Sequence, residues 1–393
     1  MDIRNLPDSL DAAGRIAERR ARVEKALGVD LATLAVAGQQ IGSADEQNCE
    51  QMFGAVPVPV GLAGPLKIHF SEGETREVYL PLATTEGALV ASVNRGCKAI
   101  TQAGGAHVTS EYVGITRSIA FEVKDAKVIS EKIELLESKW KSIAEATSSH
   151  LKILSHEIDS KDGYVFLTIA ADTDEAMGMN MITIAAQAVG EFLASELGIT
   201  MITVAGNIDS DKKASERTKR RGRGYRVNAE VTLSGEIITT VLKTDAAALL
   251  KTAHAKLEVG STVAGALGKN LHVANIIAAL YLATGQDVAH VVEGSLTDTV
   301  VNKEGDGIKI SVHLPAILVG VRGGGTNLPA QKQCLDLLLK EKTTLRPATQ
   351  LAETIGAAVL AGEISLLAAQ ATQTLANSHR VLARGQGDDT IVR

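Results

Sequence analysis

The sequence predicts an α+β protein, and three observations carry that expectation. At 393 residues, 45% apolar and 22% charged, the chain has the composition of an ordinary globular protein large enough for two or three cores. Between residues 118 and 203, strand-like segments alternate with two amphipathic helices, the pattern of a small sandwich of ferredoxin-like type inserted into a larger unit. The remainder after the strand-like "GYRVNAEVTLSGEI" reads as mostly helical, interrupted by "VGVRGGGTNLP" at 319–329.

In order along the chain, the first fifty residues read as a helical arm of two amphipathic helices, 8–27 and 30–41, with apolar residues at helical spacing. "FGAVPVPVGLAG" (53–64) mixes prolines and glycines with apolar residues, so a buried, extended, ordered loop is expected rather than a polar linker. "PLATTEGALVASVNRGCKAITQAGG" starts a helix capped by Thr84 or Thr85, with Glu86 in its first turn and Gly104-Gly105 at its end. Its small residues Ala88, Ala91, Ser92 and Gly96 let a neighbour approach closely. "SIAFEVKDAKVIS" and "GYVFLTIAAD" are expected strands; "EKIELLESKWKSIAEATSS" and "DEAMGMNMITIAAQAVGEFLASELG" are expected helices, the second closing at Gly198.

Charge and cysteine usage exclude several classes. "DSDKKASERTKRRGRG" (209–224) packs seven Lys or Arg into sixteen positions, yet the whole chain carries a net charge of -6. Nucleic-acid binding through phosphates needs a basic balance, so neither that partner nor a membrane surface is expected. Cys49, Cys97 and Cys334 are odd in number and widely spaced, which suggests neither a disulfide framework nor a zinc site and fits a reducing cytoplasm. The first 28 residues alternate charge and lack the apolar core of a signal peptide. Apolar stretches such as 274–285 fall short of the roughly 20 residues that span a bilayer.

Several short segments could carry chemistry, each with a plainer alternative. The triplet Gly323-Gly324-Gly325 can bring backbone amides to a phosphate, or be a turn; it lacks the strand-G-x-G-x-x-G-helix context. "DEAMGMNM" (174–181) opens a helix with a methionine run that is either core or a ligand surface. Glu86 among small apolar neighbours would be a proton donor if burial raises its pKa, or a first-turn carboxylate facing water. Asp287 after a glycine is a cap or a charged partner, and His379 is a helix-end residue or a catalyst.

Taken together and in this order, "NCEQMFGAVPVPVGLAGPL", "PLATTEGALVASVNRGCKAI", "DEAMGMNM", "GNIDSDKKASERTKRRGRG", "HVANIIAALYLATGQD", "GVRGGGTNLPAQKQCL" and "AGEISLLAAQATQTLANSH" make the chain resemble 3-hydroxy-3-methylglutaryl-CoA (HMG-CoA) reductases, in their class I form without a membrane anchor. The resemblance implies a large, mostly helical HMG-CoA-binding domain (51–117 and 204–393) with a central helix and short sheet elements, and an inserted NAD(P)-binding domain (118–203). It implies reduction of HMG-CoA to mevalonate by two hydride transfers, through a hemithioacetal and an aldehyde. Glu86, Lys212, Asp287 and His379 fall on the catalytic positions. An ammonium at Lys212 suits an oxygen gaining negative charge. An imidazolium at His379 can protonate the departing thiolate, Glu86 can protonate the alkoxide, and Asp287 would tune both neighbours.

The same resemblance gives Arg117, Asp211, Lys213, Lys256 and Asn275 to the acyl portion of the substrate, where a carboxylate calls for cationic partners. Ser92, Asn94, Arg95 and Lys243 fall on its CoA side. Asp172, Met177, Gly178, Asn180, Val321, Arg322, Gly323, Gly324, Gly325 and Thr326 fall on the cofactor site. NADPH is expected with NADH as the alternative, no metal is implied, and a homodimer or a multiple of dimers is expected, with the site between subunits. Three departures stand out. Ala205 replaces the usual Ser, Asp172 favours a ribose 2′-hydroxyl, and Arg322 favours a 2′-phosphate. Competing readings are the same fold oxidising mevalonate with NAD, a nucleic-acid binder using 212–223, and an inactive acyl-CoA binder.

Overall fold

The computed structural model describes residues 1–372. Its strands belong to one mixed sheet: β1 Val60–His69, β2 Thr75–Ala83, β3 Ala106–Glu122, β4 Lys152–Lys161, β5 Tyr164–Asp172, β6 Thr200–Thr203, β7 Gly224–Leu233, β8 Asp298–Glu304 and β9 Gly307–Ile317. One path runs β2-β1-β3-β7-β9-β8. Among these nine strands of the described residues, only β1 and β3 pair in parallel, at Ile68↔Ala106 and His69↔His107. The large unit is therefore built on strands of nine to eleven residues in β1, β2, β7 and β9, which corrects the expectation of short sheet elements.

The 17-residue β3 serves two halves of the molecule. Its first part pairs with β7 through Gly114↔Gly224, and from Ile115 onward it pairs with β5 and then β6. Gly114 marks the change: its φ is 88°, and a Cβ there would sit 3.1 Å from the Ala171 backbone. Only glycine takes that bend without strain. Beyond it the order is β6-β3-β5-β4, all antiparallel. Helices Ala126–Leu135, Glu137–Ala146 and Met179–Leu197 cover that part, burying Ile133, Trp140 and Val189 with Ile119, Phe121 and Leu167.

The other core surrounds helix Pro347–Ala371, buried from end to end apart from a few partly covered positions. This helix, of mean hydropathy 1.6, is long and apolar enough to cross a membrane, but 94% of its apolar window is buried inside the protein. It is longer than the stretch 274–285 that the sequence reading singled out. Its two buried acids are satisfied: Glu353 accepts from Ser71 N and Ser110 Oγ, and Glu363 accepts from Leu271 N, His272 N and Thr299 Oγ1. Helix Leu89–Gln102 crosses it so closely that a Cβ on Gly96 would lie 1.9 Å from the Ala361 carbonyl oxygen.

Several local expectations are corrected. The second arm helix is broken: a single turn at Ala32–Leu34 gives way to extended Ala35, and only Gly38–Ile41 is α-helical. "DAKVIS" is helical rather than strand, because Asp125 caps Ala126–Leu135 by accepting from Val128 N. Strand β4 and the β8–β9 hairpin, turned at Gly305, were not anticipated. Segment 53–64 is not buried: Phe53, Val56, Val60 and Leu62 are all exposed. Glu86 lies before its helix, which begins at Leu89 behind a left-handed Ala88, and Glu86 is exposed rather than buried.

Candidate functional site

One cleft of about 810 Å³ collects the glycine turn, the methionine run and the lysine loop. The glycine turn and methionine run are tied at their bases. Val321 N donates to Glu175 O at 2.8 Å, Ala176 and Arg322 form a bridge, and a Cβ on Gly320 would lie 2.3 Å from Met177 N. Gln286 anchors the turn from below, since its amide donates to Gly320 O and accepts from Gly320 N, both at 3.0 Å. Helix Met179–Leu197 starts at left-handed Gly178 with no side-chain cap, and its first turn lines the cleft, so its uncapped amides are available to an anion. Gly323 and Gly324 have positive φ and open space where a Cβ would be.

Across the cleft, Lys212 sits in a loop at φ 56° and its Nζ lies 2.8 Å from Asp287 Oδ2. Asp287 caps the turn after helix Val273–Thr284 by accepting from Ala289 N. Burial pushes its carboxyl up, but the hydrogen bonds from Lys212 and Ala289, with His290 beside it, outweigh this and hold its pKa below the ordinary value. Asp211 behaves the same way, with the Arg223 guanidinium overcoming burial. Asp209 goes the other way, pushed up by burial despite Arg223 and Arg117. Arg117 NH1 lies 3.3 Å from Asp209 Oδ2 and 3.4 Å from Asp211 Oδ2.

A second cleft of about 430 Å³ holds Glu86, Ser92, Arg95, Lys256 and Asn275. No residue lines both clefts. Ser92 Oγ bonds Ser365 Oγ at 3.0 Å, and Arg95 donates to the Ser365 carbonyl at 2.6 Å. Burial lowers the Arg95 pKa.

The structure thus brings Arg117, Asp211, Lys212, Asp287, Met177, Gly178, Asn180, Arg322, Gly323, Gly324, Gly325 and Thr326 to one cleft, and Glu86, Ser92, Arg95, Lys256 and Asn275 to another. Five expected residues line neither. Asn94 is turned to the Gly64 amide, Lys243 is an exposed cap, and Lys213 folds back on the Asp211 carbonyl. Val321 packs on the large core. The Asp172 carboxylate is engaged by Arg346, 2.9 and 3.2 Å from its two oxygens, so it is not the free ribose acceptor the sequence suggested. His379 lies outside the described residues. Buried Arg223, His290 and Glu293, all next to the lysine loop, were missed. The three-residue spacing of Asp287, His290 and Glu293 was the available signal, since it puts them on one helical face.

Comparison with known proteins follows the same outline. The model of the hydroxymethylglutaryl-coenzyme A reductase family matches residues 15–384. The 3-hydroxy-3-methylglutaryl-coenzyme A reductase of Methanocaldococcus jannaschii is 42% identical over 375 residues, covering 93% of this chain and 92% of that protein. The enzyme of the same name from Methanothermobacter thermautotrophicus is 39% identical, covering 96% and 94%. In fold, the chain is similar to the class II 3-hydroxy-3-methylglutaryl-CoA reductase of Streptococcus pneumoniae bound to NADPH, with a TM-score of 0.67, 20% identity, and coverage of 90% and 96%.

Proposed function

The chain belongs to the hydroxymethylglutaryl-coenzyme A reductase family, and from that premise we propose that it reduces HMG-CoA to mevalonate and CoA for isoprenoid synthesis. Bound NADPH supplies hydride; the rest of the chemistry falls to side chains of this chain. The Lys212 ammonium is read as the group that stabilises the oxyanion formed on the substrate carbonyl, and its pairing with Asp287 supports that role. Arg117 is the cationic partner for the substrate carboxylate. Glu86, exposed in the single chain, serves as donor to the alkoxide once a second copy covers it, and His379 serves as donor to the CoA thiolate.

The observation that carries this reading is the division of the predicted machinery between two clefts. Lys212 and Asp287 occupy one, Glu86, Lys256 and Asn275 the other. A second copy that lays one cleft against the other completes two sites at once, as an isologous dimer does. The exposed apolar strip of Phe53, Val56, Val60 and Leu62 supports such an assembly. Mixing Glu86→Gln and Lys212→Ala subunits tests it. Each variant alone is expected to be inactive, and the mixture to regain about a quarter of wild-type activity, because half the dimers then hold one intact site. No recovery after subunit exchange would refute the shared site.

For the cofactor, the exposed guanidinium of Arg322 at the cleft and the engagement of Asp172 by Arg346 support NADPH over NADH. Residues 118–203 are read as its inserted binding module, with 51–117 and 204–393 as the large domain and 1–50 as an arm whose Gln47 and Asn48 reach the same cleft. The class I form is read from the "TTEGALVAS" and "DKK" versions of the family's motifs. A cytoplasmic site of action agrees with burial of the one long apolar helix among the described residues.

A further inference from the structure

Behind the first cleft, three buried side chains meet under the lysine loop. A single oxygen of Glu293, Oε1, accepts the Lys212 backbone amide at 2.6 Å and Arg223 NH1 at 2.9 Å, and faces His290 Nδ1 at 3.2 Å. Arg223 NH1 also donates to Asp211 Oδ1 at 2.8 Å, and its Nε donates to Thr116 Oγ1 at 2.9 Å. The loop above is conformationally costly. Asn207, Ser210 and Lys212 have φ values of 64°, 51° and 56°, a region that L side chains seldom occupy. Something outside the loop must hold it there.

We propose that Glu293 and Arg223 are positioning residues for the reaction. Together they are a buried ion pair that pins the backbone of Lys212 in its left-handed conformation and thereby sets the lysine ammonium against Asp287. This rests on the reading of Lys212 as the oxyanion partner. A fully buried ion pair is a poor source of stability, because desolvation offsets its attraction. What it supplies here is a charge-assisted acceptor at a fixed point beneath the loop. His290 completes the frame: its Nδ1 faces Glu293, while its buried Nε2, which has no hydrogen-bond partner among the described residues, lies 3.7 Å from Asp287 Oδ2. The carboxylates holding the amide and the ammonium of Lys212 are thus spanned by one imidazole. Preorganisation of this kind acts on the chemical step, so its loss lowers kcat and leaves substrate affinity nearly unchanged.

Three variants test the proposal: Lys212→Ala as reference, Glu293→Gln, and the double change Glu293→Leu with Arg223→Met. The double variant replaces the pair by apolar side chains of similar length, which leaves neither Glu293 nor Arg223 as a lone buried charge, while Asp211 keeps Arg117 as its partner. Its kcat is expected to fall about 10²-fold with KM for HMG-CoA and NADPH within about threefold of wild type. Glu293→Gln keeps an acceptor oxygen but no charge, so its kcat falls less; in both proteins hydrogen exchange at the Lys212 amide is faster than in wild type. A double variant with kcat near wild type, while Lys212→Ala is inactive, overturns the positioning role and leaves the lysine's role standing. An active Lys212→Ala overturns the reading beneath it. If the double variant does not fold, Glu293→Gln decides: unchanged kcat and unchanged amide exchange overturn the proposal, and a lower kcat at constant KM with faster exchange supports it.

Discussion

Lys212 Nζ and Asp287 Oδ2 stand 2.8 Å apart, the lysine from a strained loop and the aspartate from the turn after a buried helix. The pair is partly open to solvent, with 42% and 36% of the two side chains exposed, so its contribution to stability is small and its value lies in placing a cation. Replacing Lys212 by Ala is expected to lower kcat by at least ~10²-fold while the thermal midpoint barely moves. Steady-state kinetics beside a melting curve checks both halves; a rate near wild type contradicts the assignment.

Because the Asp287 carboxyl is held below its ordinary 3.8, its stabilising effect has a defined pH window. A depressed carboxyl contributes above its unfolded value and loses that contribution as pH falls through the folded one. The melting temperature of wild type relative to Asp287→Asn should therefore stay constant from neutrality down to about pH 4, and converge only below it. Convergence already near pH 6 would show that the carboxylate is not held by Lys212.

Arg322 should separate the two nicotinamides. Its guanidinium is exposed at the cleft, free to meet a 2′-phosphate. Arg322→Ala is expected to raise KM for NADPH about tenfold and to leave the NADH parameters nearly unchanged. Changing Asp172 to Asn, by contrast, should loosen the Arg346 contact without inverting preference. Equal effects of Arg322→Ala on both cofactors would exclude the phosphate contact.

Gly96 tests the packing that carries the second cleft. A methyl group there meets the Ala361 carbonyl oxygen at 1.9 Å, a Cβ against backbone, where no rotamer change gives relief. Gly96→Ala is expected to destabilise the protein by about 1–3 kcal/mol or more, read as a lower denaturation midpoint. A neutral result would mean that the two helices cross less tightly.

Much of this was legible in the sequence, and the failures have physical causes. The helix ending at Gly198 and the alternating strand β7 obey local rules, and both form. Strand β4, "KILSHEIDSK", shows little apolar alternation because only Ile153 in it is buried, so pattern reading misses it. The β8–β9 hairpin was hidden by the expectation of helix, although "EGDG" is a turn signal. In the site, residue types were readable but their grouping was not. Nothing local in "TTEGAL" or "DSDKK" tells that one chain keeps Glu86 and Lys212 in different clefts, since that depends on the tertiary packing of distant segments. Asp172 failed for a related reason: its partner Arg346 is distant in sequence, and long-range pairing is invisible to local motifs.

The buried helix Pro347–Ala371 also has a consequence for how the protein is made. It shares one core with residues as early as Ala63 in the first hairpin, while the helix itself is the last long element in the described chain. During synthesis helices Leu89–Gln102 and Val273–Thr284 can cover much of those early strands, but the centre of their shared core stays open until Pro347–Ala371 has left the ribosome. Such non-local closure is slow and leaves sticky intermediates exposed to one another. Ribosome-bound chains halted before Pro347 are therefore expected to be protease-sensitive in the hairpin region and to engage chaperones. Protection of that region should appear only once the helix has been released.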